Sequence, residues 1–112
     1  MELGLSQREV GSITVVAVSG ELDVFTAPQL ESALNDLVTA GRVEIVVDLS
    51  GVSFLDSTGL GAMVKALKWV KEQSGSLTVV AADERIVKVF KITGLDDVMS
   101  LQAELDPALA GS

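Results

Sequence analysis

The run Asp56-Ser57-Thr58-Gly59-Leu60-Gly61 sets a carboxylate, two hydroxyls and two glycines side by side. A helix needs one N-terminal cap, and three successive residues here could provide it. A spare hydroxyl near the positive end of a helix can accept a phosphate. The plain alternative is that Asp56 or Ser57 only caps a helix, with Gly59 and Gly61 easing the chain into it; spacing alone favours that plain role. Gly59-Leu60-Gly61 is a poor nucleotide motif. It lacks the third glycine of a dinucleotide fingerprint and the Gly-Lys-Ser/Thr of a phosphate loop.

A second constellation is carboxylic. Asp23, Asp48 and Asp56 all fall near the ends of expected strands. Such a cluster could hold Mg²⁺, as in phospho-aspartate receivers. A receiver wants two adjacent acids after its first strand, and this chain offers Glu21 and Asp23 instead. It also has no Lys just after the Leu77–Ala82 run. Solvated loop acids are therefore the better reading of the three. Trp69 suits the edge of a core more than a partner anchor, and Lys65, Lys68 and Lys71 suit a solvated face.

The elements that must position these groups follow from periodicity. Residues 2–8 form a weak strand, Glu9 to Ser12 a turn, and Ile13 to Ser19 a β-branched strand, giving an antiparallel hairpin. Gly20 to Phe25 is a loop or short extension. Thr26, Pro28 and Gln29 have the spacing of a capping box with Pro in the first turn. Leu30, Ala33, Leu34, Leu37 and Val38 then make one helical stripe, which Gly41 can end. Val43 to Leu49 reads as a strand covered on both faces. After Asp56-Ser57-Thr58 a helix carries Leu60, Met63, Val64, Leu67 and Val70 on one stripe and stops at Ser74-Gly75-Ser76. Leu77 to Ala82 is a further strand. Asp83 caps a third helix bearing Ile86, Val89 and Phe90, closed by Gly94. Val98 to Leu101 is a last short strand. The order implies an α/β domain, a mixed β-sheet with helices packed on it through right-handed crossovers.

Composition narrows the chemistry. The chain has 112 residues, enough for a single domain spanning 1–112 with one core. It contains no His and no Cys. That removes His-based nucleophile pairs, zinc fingers, His or Cys haem ligation, iron–sulfur clusters and disulfides. Lys and Arg number 8 against 16 Asp and Glu, a net charge of -8 that repels nucleic acid and anionic lipid. A hydrophobic share of 48% with mean hydropathy +0.47 argues against disorder. No apolar run reaches transmembrane length and the first residues do not form a signal peptide, so a cytoplasmic protein without direct membrane insertion is expected.

Taken together, Gly20-Glu21-Leu22-Asp23…Thr26-Ala27-Pro28, Val47-Asp48-Leu49 and Phe54-Leu55-Asp56-Ser57-Thr58-Gly59-Leu60-Gly61 resemble the STAS-domain anti-sigma-factor antagonists of bacteria. Arg85 to Leu95 looks like that family's third-helix signature. The matches run in order over roughly residues 5–101. The resemblance implies a single STAS domain and a protein that is not an enzyme and binds no cofactor. It implies that Ser57 is phosphorylated by the partner, an anti-sigma factor with ATP-dependent serine kinase activity. The unmodified form would hold that partner and free the sigma factor. The phosphorylated form would release it, and a metal-dependent serine phosphatase would reverse the switch. Without a His the chain offers no base, so the base, Mg²⁺ and ATP come from the kinase.

On this reading Asp23 contacts the partner, Asp56 caps the helix, and Gly59 lets the partner backbone approach. Thr58, Leu60 and Gly61 complete the environment. A phosphate at Ser57 meets backbone N–H donors at the helix end and leaves the domain undisturbed, so switching occurs at the interface. Residues 102–112, with Pro107 and little amphipathic pattern, depart from the longer terminal helix of the family. Two other roles stay open. One is an accessory subunit of a membrane lipid transport complex, a role STAS domains also fill. The other is the Mg²⁺-dependent receiver.

Overall fold

The structure is a computed structural model that describes residues 3–109. β1 (Gly4–Val10) and β2 (Ile13–Leu22) pair antiparallel, with Val10 opposite Ile13. Gly11 holds the first central position of their two-residue turn at φ +61°, a conformation that favours glycine. The hairpin is therefore longer and tighter than sequence suggests, because Glu9 and Val10 pair rather than turn. α1 (Ala27–Thr39), β3 (Glu44–Leu55), α2 (Ser57–Glu72), β4 (Ser76–Val80), α3 (Glu84–Ile92) and β5 (Ser100–Gln102) follow. The five-stranded sheet runs β1-β2-β3-β4-β5, and every pair after the hairpin is parallel. The α/β fold and mixed sheet expected from sequence are observed.

One face of the sheet carries the helices. Val16, Val18, Ile45, Val47, Leu49, Leu77 and Val79 meet Leu30, Leu34, Met63, Ala66, Val70, Ile86 and Phe90 in one core. Val64 does not join it and is 42% exposed; the α2 stripe turns toward Ala66 instead. Trp69 is half-buried against the edge of that core. The other face has a smaller cluster of Val15, Val46 and Val80, covered by Ile13, Leu105 and Leu109. The run Val43 to Leu49 is thus covered on both sides, once by helices and once by the tail. No terminal helix forms among the described residues; 107–109 are a turn, and the Arg8 guanidinium donates to the Leu109 carbonyl.

β3 differs most from the sequence reading. It continues past Leu49 to Leu55, paired only with β2 beyond Asp48 and with register shifts on the way. Ser50, Gly51 and Ser53 break its apolar run, yet the ladder continues through them. β2 likewise continues through Gly20 to Leu22. β4 stops at Val80 rather than Ala82, and β5 begins at Ser100 rather than Val98. These extensions carry Leu22 and Leu55 to the same edge of the sheet, directly opposite one another.

Candidate functional site

Beyond that edge two loops repeat one local design. Leu22 is followed by Asp23, and Leu55 by Asp56. Asp23 Oδ1 accepts the N–H of Phe25 at 2.9 Å and of Thr26 at 3.1 Å. Asp56 Oδ1 accepts the N–H of Thr58 at 2.9 Å and of Gly59 at 3.1 Å. Asp56 satisfies donors that the start of α2 leaves free, and Asp23 ties down the two residues just ahead of α1. The Asp56 N–H also donates to the Leu22 carbonyl at 3.2 Å, joining the loops. Val24 and Ser57 therefore occupy corresponding positions, as do Phe25 and Thr58.

Asp56 is the cap of α2, as expected. Thr26 is not the side-chain cap of α1, and the capping box with Gln29 does not form. Its buried hydroxyl donates to the Glu21 carbonyl at 2.6 Å and accepts the Asp23 N–H at 2.9 Å. The hydroxyl is thereby committed to the loop, the Gln29 N–H goes to the Thr26 carbonyl at 2.9 Å, and Asp23 holds the Thr26 N–H that a Gln29 side chain would have taken. Its carboxylate is thereby committed to organising the loop.

Ser57 and Thr58 are both exposed, and no hydrogen bond among the described residues engages either side-chain hydroxyl. Asp56 makes the hydroxyls redundant as caps, which leaves them open to other chemistry. It also occupies the N–H groups of Thr58 and Gly59, so those donors are not available to a phosphate on Ser57. A phosphate there is accommodated by exposure instead.

Gly59 and Leu60 are both buried. A Cβ on Gly59 would lie 2.7 Å from Leu55 Cδ1 and 2.8 Å from Leu22 Cγ. Gly59 thus lets α2 sit close on the two strand ends. Leu60 is buried in the helix-side core. Gly61 is partly exposed one turn from Ser57, with open space where a Cβ would stand.

Asp48 lies inside the sheet, opposite Ala17 and Val80, and accepts from the Ser50 N–H and hydroxyl. Its partner Ala17 stands five residues of β2 before Leu22, which faces Leu55, so Asp48 is roughly 17 Å from the strand end that carries Asp56. The three aspartates do not converge, and no group of acids able to hold a metal occurs among the described residues. The receiver reading loses its metal cluster.

Sequence reasoning missed the apolar side chains of this edge. Phe25 is 80% exposed, Val24 56% and Phe54 47%. The signal was the pair Val24-Phe25 standing in a loop between Asp23 and Thr26, outside any helical or strand stripe. Neither Asp23 nor Asp56 joins an ion pair among the described residues; the pairs are Arg42–Glu9, Lys65–Glu31 and Arg85–Asp83.

The structure thus places a carboxylate cap and two exposed hydroxyls at the end of a two-layer α/β domain. Residues 5–108 match the STAS domain family, and the chain belongs to it. The anti-sigma-B factor antagonist of Staphylococcus aureus is 39% identical over 99 residues, covering 88% of this chain and 92% of the relative. That of Staphylococcus epidermidis is 44% identical over 84 residues, covering 75% of this chain and 78% of the relative. The crystal structure of an anti-sigma factor antagonist from Mycobacterium paratuberculosis superposes with TM-score 0.87 at 34% identity, over 96% of this chain and 92% of that one.

Proposed function

We propose that this protein is an anti-sigma factor antagonist switched by phosphorylation of Ser57. The unmodified form binds an anti-sigma factor that is also an ATP-dependent serine kinase, and so frees the sigma factor. Phosphorylation releases the partner, and a metal-dependent serine phosphatase restores binding in the cytoplasm. The observation that carries this reading is the hydroxyl pair left idle beside Asp56. The fold has its cap and does not use Ser57. The choice of Ser57 over Thr58 rests on the family motif.

The switch needs no refolding. Ser57 is exposed, so a phosphate adds roughly −1.5 to −2 charges at the surface without displacing core. The neighbouring Asp56 already neutralises the helix end, so the new charge is not drawn inward. It stands at the partner contact, where a surface fitted to a small neutral hydroxyl has neither room nor hydrogen-bond partners for a phosphate, and that misfit opposes continued binding.

The test is reconstitution with ATP and the purified anti-sigma factors of the source organism, with mass-spectrometric mapping of the product. Phosphate on Ser57 from one of them is the expected result. Phosphate on Thr58 alone, or on neither, overturns the proposal. Co-purification with a transporter ATPase and no response to any kinase would favour the lipid-transport role.

A further inference from the structure

The apolar edge beside Ser57 is unaccounted for by the phosphorylation switch. We infer that Phe25, with Val24 and Phe54 around it, is the anchor by which this chain docks into an apolar socket, rimmed by Lys or Arg, on its anti-sigma factor. The inference rests on the reading of Ser57 given above and assigns the contact that holds the partner there.

Position supports it. Phe25 is two residues past Asp23, the place Thr58 holds past Asp56, in a loop hydrogen-bonded to the α2 entry through the Leu22 carbonyl and the Asp56 N–H. A protein seated over Ser57 therefore meets Phe25 at the same edge. Phe54 lies there too, opposite Glu21 in the strand pairing.

Rigidity is the second support. The Phe25 N–H is held by Asp23 Oδ1, and the loop is tied on both sides by the buried Thr26 hydroxyl. An aromatic side chain on a fixed backbone loses little conformational freedom on docking, which is the usual form of an interface hot spot. The core is closed by large side chains that are fully buried, Leu22, Leu30 and Leu49 among them, and Phe25 at 80% exposure stands outside it.

Charge fixes the chemistry of the partner. Residues 20–30 and 50–64 contain Glu21, Asp23 and Asp56 and not one Lys or Arg. The nearest cation in sequence, Lys65, is paired with Glu31 at 3.0 Å. An apolar anchor among uncompensated carboxylates matches a socket with a basic rim.

The experiment uses the anti-sigma factor that phosphorylates Ser57 in the reconstitution above. Its affinity for wild type, Phe25→Ala, Glu21→Gln and Ile92→Ala is measured by calorimetry at two salt concentrations. Ile92 is a control, 72% exposed on α3 and outside both loops. Phe25→Ala is expected to weaken binding roughly tenfold or more, with unchanged circular dichroism. It should raise KM for Ser57 phosphorylation and leave kcat unchanged. Glu21→Gln should reduce the salt dependence, and Ile92→Ala should bind as wild type. Wild-type affinity in Phe25→Ala, or an equal loss in Ile92→Ala, overturns the anchor while leaving the Ser57 reading intact. Absence of binding and labelling by wild type overturns the Ser57 reading itself, and the anchor with it.

Discussion

At residue 57 the chemistry reduces to a hydroxyl that nothing in the fold employs. Asp56 supplies the cap, so removing the Ser57 oxygen costs the domain little. Ser57→Ala is therefore expected to fold as wild type, to bind the anti-sigma factor, and to resist labelling by ATP. Ser57→Asp should bind at least roughly tenfold more weakly, about 1.4 kcal/mol or more, with the same circular dichroism spectrum; a misfolded Ser57→Asp would show that the switch is internal and not interfacial. A different carboxylate reports local electrostatics. Asp83 is held down at about 2, first by the side-chain hydrogen bond from Arg85 and then by the Arg85 N–H. A lowered folded-state pKa stabilises above the ordinary carboxylate value, and that contribution is lost as pH falls from near 4 toward 2. NMR titration should find Asp83 near 2 in wild type and shifted upward, toward the ordinary value, in Arg85→Ala.

At the scale of elements, two strand ends and two helix starts make one edge. Much of it is legible in the sequence, because the apolar stripes of α1 and α2 and the Asp-Ser-Thr-Gly run are local signals. What escapes is non-local. The polar Ser50, Gly51 and Ser53 end the apolar pattern of β3, but pairing with β2 carries the strand on to Leu55. Thr26 has the right spacing for a cap, but its hydroxyl is taken by the Glu21 carbonyl and the Asp23 N–H, a contact across five residues that spacing does not show. Gly59 and Gly61 look alike in sequence and differ by what stands next to each. Gly59→Ala forces a methyl against Leu55 and Leu22, and is expected to cost about 1–3 kcal/mol by overpacking, less what the helix gains from Ala. Gly61→Ala meets nothing within 4 Å and should raise stability by about 0.5–1 kcal/mol. On the proposed docking edge the same Gly61→Ala methyl stands one turn from Ser57 and should weaken partner binding. Urea denaturation and calorimetry on both variants separate the two effects, and equal stability changes at the two positions would show that Gly59 is not set by packing.

For the molecule as a whole, the two faces of the sheet divide the work. The helix face holds the main core and, through α2, aims Ser57 outward. The second face has a small apolar cluster that no helix covers, and the tail closes it with Leu105 and Leu109 over Val15, Val46 and Val80. Glu9, Glu31 and Asp83 are neutralised by Arg42, Lys65 and Arg85, so the net -8 resides in the other acids. With no His and no Cys, hydroxyls, carboxylates and amines are the reactive side chains of the chain. The tail cluster sits on Val15 and Val46, whereas the docking edge begins at Leu22 and Leu55, roughly 20 Å further along the strands. The two are therefore expected to be independent. Leu105→Ala with Leu109→Ala removes two half-buried side chains, each contributing about 1 kcal/mol. The double variant should unfold at lower urea by about 2 kcal/mol yet retain wild-type affinity for the anti-sigma factor and wild-type labelling at Ser57. A loss of affinity larger than the unfolded fraction explains would mean that the tail helps to set the docking edge, and that stability and function in this fold are not carried by separate faces.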